Sequence, residues 1–106
     1  MATLQEVQAE IKRQVIRDYA QRPLRTMQNL VCLGLTEEAG EVAGLMKRRI
    51  RCNPDRADPE RSTQENFKDE LGDVLWYLGA CCEAFDTSLE EIWEYNIQKL
   101  KERYGE

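Results

Sequence analysis

The stretch Leu35-Thr36-Glu37-Glu38-Ala39-Gly40-Glu41-Val42-Ala43 sets three carboxylates within five residues of a segment that is otherwise apolar or small. A second stretch, Lys68-Asp69-Glu70-Leu71-Gly72-Asp73-Val74-Leu75, repeats the device, with Glu70 placed 29 positions after Glu41. Acids three or four residues apart share one face of an α-helix. Two such faces, packed antiparallel, would line a pocket with carboxylate oxygens. The rest of the chain is read for whether it can build that helix pair.

Upstream, residues 3–21 have the pattern of a helix. Thr3 can cap it, with Glu6 in the reciprocal position of a capping box. Leu4, Val7, Ile11, Val15 and Tyr19 form an apolar stripe at spacings of three and four. Lys12, Arg13 and Arg17 fall off the stripe and read as a solvated face. Gln21-Arg22-Pro23 ends the element.

The second helix is expected from Leu24 or Thr26 to Ile50, with Met27, Leu30, Val31, Gly34, Leu35, Val42, Leu45 and Met46 as its apolar positions. Gly34, Gly40 and Gly44 each cost about 1 kcal/mol relative to Ala in an exposed helix interior. A close neighbour, room for a ligand beside the acids, or a break near Gly34 would account for them. Lys47-Arg48-Arg49 suits a helix C-terminus and needs no further role.

Residues 51–62, with two prolines, read as a polar linker and the segment best suited to cover a substrate. A third helix is expected from Ser62 or Thr63 to about Phe85, with Phe67, Leu71, Val74, Leu75, Leu78 and Cys82 on its apolar side. Asp86-Thr87 breaks it. Ser88 then caps a fourth helix bearing Ile92, Trp93, Tyr95, Ile97 and Leu100, and Gly105 terminates it. Four helices and no strand pattern give an all-α bundle in one domain, residues 1–106. A chain this short buries only about 60–68% of its unfolded surface, so homo-oligomerisation would naturally complete the core.

Composition excludes several functions. Twenty acids against 15 basic residues, a net charge of −5, leave no basic stripe for a nucleic-acid polymer. The chain has no histidine, hence no imidazole zinc site and no Ser-His-Asp triad. Cys32, Cys52, Cys81 and Cys82 lack CxxC spacing and read as free thiols in a reducing compartment. No signal run and no stretch of 18 apolar residues is present, so a cytoplasmic protein without membrane attachment is expected.

The acids themselves have two readings. Glutamate is a good helix former, and acids on helices usually face water. Against that, Glu38 and Glu41 (i,i+3) and Glu37 and Glu41 (i,i+4) repel one another, with no basic residue at Gly34, Leu35 or Val42 to relieve them. Glu70 and Asp73 repeat the step among Leu71, Val74 and Leu75. A shared cation resolves the repulsion, and a hard divalent ion such as Mg2+, with Mn2+ as a substitute, takes oxygen ligands and accompanies substrate phosphates. The matching chemistry is metal-assisted attack of water on a phosphoryl group. Without histidine, Glu37 or Glu38 would position or deprotonate the water.

Glu37-Glu38-Ala39-Gly40-Glu41 followed by Glu70-Leu71-Gly72-Asp73 resembles the EExxE…ExxD signature of the MazG-like all-α nucleoside triphosphate pyrophosphohydrolases. Leu35-Thr36 before the first block, Val74-Leu75-Trp76-Tyr77 after the second, and Asn96-Ile97-Gln98-Lys99-Leu100-Lys101-Glu102-Arg103-Tyr104 extend the resemblance over residues 25–105. It implies Mg2+-dependent cleavage between the α and β phosphates, giving the monophosphate and pyrophosphate. By the same resemblance Glu38, Glu41, Glu70 and Asp73 are metal ligands, and Glu37 assists water or a further metal. Tyr77, Asn96, Lys99 and Arg103 match positions that approach the nucleotide, and a homodimer or homotetramer is implied. A relative specialised for dUTP or dCTP and a non-catalytic, regulatory metal- or nucleotide-binding oligomer are the competing readings. The five intact acids favour catalysis. The base preference is not written in any residue pattern here.

Overall fold

The computed structural model describes residues 1–51 and 64–105. They form a four-helix, all-α bundle: α1 (Leu4–Tyr19), α2 (Leu24–Arg51), α3 (Gln64–Ala84) and α4 (Leu89–Tyr104). The linker and the cap expected at Ser62 or Thr63 lie outside the described residues.

Local chemistry sets the helix ends. The Glu6 N–H donates to Thr3 Oγ1 at 3.1 Å, and the Thr3 N–H donates to Glu6 Oε1 at 3.3 Å, completing the expected capping box. Pro23, which cannot continue α1, begins α2 by accepting from the Met27 N–H at 3.0 Å. The Glu91 N–H donates to Ser88 Oγ at 3.1 Å. Gly105, at φ 70°, closes α4 in the left-handed conformation. The end of α3 uses a device that the sequence pattern did not single out. Asp86 adopts φ 56°, and the Thr87 N–H donates to the Cys82 carbonyl at 2.8 Å. This is a Schellman turn with aspartate where glycine is usual.

The most extensive packing joins α2 and α3. Their antiparallel register is visible where Gln28 Nε2 donates to the Ala84 carbonyl at 3.0 Å and where Gly34 meets Tyr77. Val31 and Ala80 are fully buried in the core cluster, with Ile11, Val15, Cys82, Ala84 and Leu89. α2 runs unbroken through Gly34, so no helix break is needed to explain that glycine. A Cβ there would enter the Tyr77 ring. Gly40, by contrast, has open space around it.

α1 crosses α3, and one buried amide joins three elements. Gln8 Nε2 donates to the Gly79 carbonyl at 3.1 Å and to Glu83 Oε1 at 2.9 Å. Its Oε1 accepts from the Leu89 N–H at 2.8 Å. The first orphan N–H of α4 is thus satisfied from α1, across 81 residues of sequence. Ile11 packs where a side chain at Gly79 would sit. Trp76 Nε1 donates to Gln14 Oε1 at 2.6 Å. As expected, Lys12, Arg13 and Arg17 are exposed.

Several positions of the expected apolar faces are exposed in the single chain: Leu4, Leu30, Met46, Leu71, Leu75, Trp93, Tyr95 and Leu100. The reason is geometric. α3 is apolar around more than half its circumference, and α1 and α2 cover only part of it. α4 packs on α1 and α3, but leaves Trp93 54% and Leu71 52% exposed.

Replacing Gln8 with Leu strands the Leu89 N–H and removes a partner from Glu83. We expect chemical denaturation of Gln8→Leu to show a loss of about 2 kcal/mol, within the range for an unsatisfied buried donor.

Candidate metal-binding active site

The α2–α3 register that buries Val31 and Ala80 carries about two turns further to the acids. Glu38 projects from α2; Glu70 and Asp73, one helical turn apart, project from α3. One carboxylate oxygen from each of the three lies within 4.8 Å of the other two. Glu38 and Glu70 are half-buried and Asp73 is exposed, so the group forms a cleft with one open side. Around Mg2+ at about 2.1 Å, neighbouring octahedral oxygens are about 3.0 Å apart and opposite ones about 4.2 Å. The observed 4.8 Å bound is close to this range. The donor set, all hard carboxylate oxygens and no sulfur or nitrogen, fits Mg2+ or Mn2+ and disfavours softer metals.

Glu41, expected as a fourth ligand, is exposed and stands outside this close trio. It still contributes to the local field. The Glu38 carboxyl is pushed above its ordinary range, first by desolvation and then by Asp73, Glu70, Glu37 and Glu41 in that order. Among the described residues, every charged neighbour that acts on it is another carboxylate. The repulsion read from the helix spacing is therefore present in three dimensions and is larger across helices than along one.

Tyr77 lies beside the trio. Its half-buried ring fills the notch at Gly34 and meets Trp76 edge-on, with centroids 5.1 Å apart at 82°. Burial raises the phenol above its usual range, reinforced by Tyr19, Glu38 and Glu37, and Tyr77 and Tyr19 share a hydrogen bond. Tyr19 is a site neighbour that the sequence pattern presented only as part of an apolar stripe. Its hydroxyl was the one available signal. Glu37 is exposed next to Glu38.

The α4 residues are placed differently. Asn96 lines an apolar groove of about 620 Å3 with Leu4, Leu75, Leu78, Leu89, Ile92 and Trp93. Leu75 and Leu78 follow Asp73 by two and five positions, which turns them to the opposite side of α3. Lys99 and Arg103 are exposed. Among the described residues, no hydrogen bond or ion pair joins either of them to the acids. The groove that Asn96 lines is therefore on the side of α3 turned away from Asp73.

A carboxyl raised in the folded state favours the protonated fold. Its contribution to stability is therefore present at low pH and lost as pH rises from the unfolded value through the folded one. Glu38→Gln removes that penalty and also removes a ligand. In thermal melts at pH 7.5 we expect metal-free Glu38→Gln to unfold a few degrees above the parent protein. Mg2+ or Mn2+ should raise the parent's midpoint more at pH 7.5 than at pH 5, and the variant's hardly at all.

Comparison with known proteins agrees with this geometry. Residues 25–106 match the MazG nucleotide pyrophosphohydrolase domain. The chain is 31% identical over 103 residues to the uncharacterized protein YpjD of Bacillus subtilis, covering 95% of this chain and 86% of that one. It is 37% identical over 76 residues to the Gene 37 protein of Mycobacterium phage L5, covering 69% of this chain and 62% of the phage protein, so the match spans less than two thirds of that relative. A third relative, the uncharacterized protein YvdC of Bacillus subtilis, is 32% identical over 74 residues, 66% of this chain and 69% of its own. No solved structure matches the chain significantly. With both acid blocks on facing helices and more than three quarters of its length matched, the chain belongs to the MazG nucleotide pyrophosphohydrolase domain family.

Proposed function

We propose that this protein hydrolyses nucleoside triphosphates between the α and β phosphates, in a Mg2+-dependent reaction that yields a nucleoside monophosphate and pyrophosphate. The observation that carries the reading is the cross-helix trio Glu38, Glu70 and Asp73, with oxygens within 4.8 Å of one another, in a chain of this family.

Glu38, Glu70 and Asp73 would hold the ion, with Glu41 recruited to it or to a second one when the polyphosphate arrives. When bound, the metal neutralises phosphate charge and acidifies water. The surrounding side chains supply the rest. Glu37, next to Glu38 and open to solvent, orients the attacking water and accepts its proton. As the water oxygen bonds to phosphorus, the α–β bridging bond breaks and pyrophosphate leaves with the bridging electrons. Tyr77, held in the Gly34 notch and bonded to Tyr19, forms a fixed wall for the nucleoside side of the cleft.

Asn96, Lys99 and Arg103 act in this scheme from a second copy of the chain. Two observations support that arrangement: Asn96 lines a groove on the side of α3 turned away from Asp73, and Leu71, Leu75, Trp93 and Leu100 leave an uncovered apolar surface on α3 and α4. Contact through that surface buries it and supplies basic groups to the acid cleft. The intact set of acids favours this catalytic reading over a regulatory binding protein. Specialisation for dUTP or dCTP remains a narrower form of the same proposal.

A panel of common and modified triphosphates with Mg2+, assayed separately for pyrophosphate and phosphate, should show pyrophosphate release. Glu38→Gln and Asp73→Asn should each lower kcat by about a hundredfold or more while retaining helical circular dichroism. Absence of pyrophosphate from every substrate would favour the binding-only reading. Sedimentation at micromolar concentration should show a dimer or tetramer. A monomer would remove the proposed role of α4.

A further inference from the structure

Val31 and Ala80 are both fully buried in the core cluster, and the antiparallel register set by Gln28 with Ala84 and Gly34 with Tyr77 makes them matched positions of the α2–α3 seam. Cys32 and Cys81 each follow one of these residues. In an antiparallel helix pair, equal steps from a matched position turn to the same flank, so the two cysteines lie together on one edge of the seam. The Cys32 side chain is indeed the hydrogen-bonding neighbour of Cys81. Both are free thiols; Cys32 is exposed and Cys81 is half-buried. Cys82, a further step round α3, is buried among the core residues and is excluded from this edge.

We infer that Cys32 and Cys81 form a dithiol site for disulfide exchange, in which a low-molecular-weight disulfide oxidises them to an α2–α3 cross-link. Cys32 meets the reagent first because it is exposed. Its thiolate bonds to one sulfur of the reagent, the reagent's S–S bond breaks, and one small thiol leaves with the Cys32 proton. Cys81 then gives up its proton and attacks the Cys32 sulfur, and the second small thiol departs. The two cysteines lose two electrons, and the reagent gains them as two thiols. Burial holds the Cys81 thiol up at about 11, so the second step is the slow one.

The link would close the 48 residues between the two cysteines and tie together the helices that carry Glu38, Glu70 and Asp73. This inference does not depend on the hydrolase reading. It needs only the seam.

The test is incubation of the full chain with oxidised glutathione, followed by non-reducing tryptic mapping. The expected product joins the peptide of residues 26–47 to that of residues 69–99, and dithiothreitol reverses it. Cys32→Ser and Cys81→Ser should each abolish the joined peptide, and Cys82→Ser should retain it. The oxidised protein should melt roughly 10 °C or more above the reduced one, as expected for a loop of this length. Persistent glutathione on Cys32, a bond to Cys52, a bond between chains, or a cross-link that survives Cys81→Ser would overturn the proposal.

Discussion

The seam between α2 and α3 is the constraint on which everything else in this protein depends. Val31 against Ala80 and Gly34 against the Tyr77 ring fix how far the helices approach and in what register. A helix pair in that register places Glu38 opposite Glu70 and Asp73 without any further device. The cleft is a consequence of apolar packing one to two turns away. Gly34 is therefore part of the site although it carries no chemistry. Its missing side chain is the space in which Tyr77 lies.

That seam also maintains an electrostatic conflict. Burial and four neighbouring carboxylates disfavour ionised Glu38, yet the helices hold it in place because the apolar contacts beside it cannot be relaxed independently. Folding energy supplied by the core thus keeps negative charges closer together than they would settle in a free chain. A divalent cation turns this unfavourable concentration of charge into binding energy, since every oxygen that repels its neighbours attracts the ion. This is the ordinary logic of a preorganised hard-metal site.

The outer elements divide their labour. α1 stands outside the family-matched residues, but its Gln8 satisfies the start of α4 and its Ile11 packs into the space left by Gly79. Through these contacts α1 sets the position from which α4 departs. α4 then exposes Trp93, Tyr95 and Tyr104. A short chain with an apolar surface on both α3 and α4 has more surface to bury than its own helices can cover. Core formation and assembly are in this sense parts of one problem.

Helix number, type and approximate ends were legible in residue order because they follow from local rules. Thr3 with Glu6, Pro23, Ser88 and Gly105 act on their own neighbours, and each acts in the structure as its chemistry predicts. The acid blocks were equally legible, since spacing along a helix determines which acids share a face. Periodicity alone could not decide which apolar face finds a partner within the chain, so it marked Leu71, Leu75 and Trp93 as apolar-face positions without showing that the chain's own helices leave them exposed. Nor could it show that Gln8 reaches Leu89, that Tyr19 reaches Tyr77, or that Glu38, rather than Glu41, closes on Glu70 and Asp73. The chain's sequence by itself determined the helices and the chemical character of the site. Tertiary structure alone decided which of those side chains meet, because register between helices is set by volume and contact across the seam and leaves no periodic trace in either strand of text.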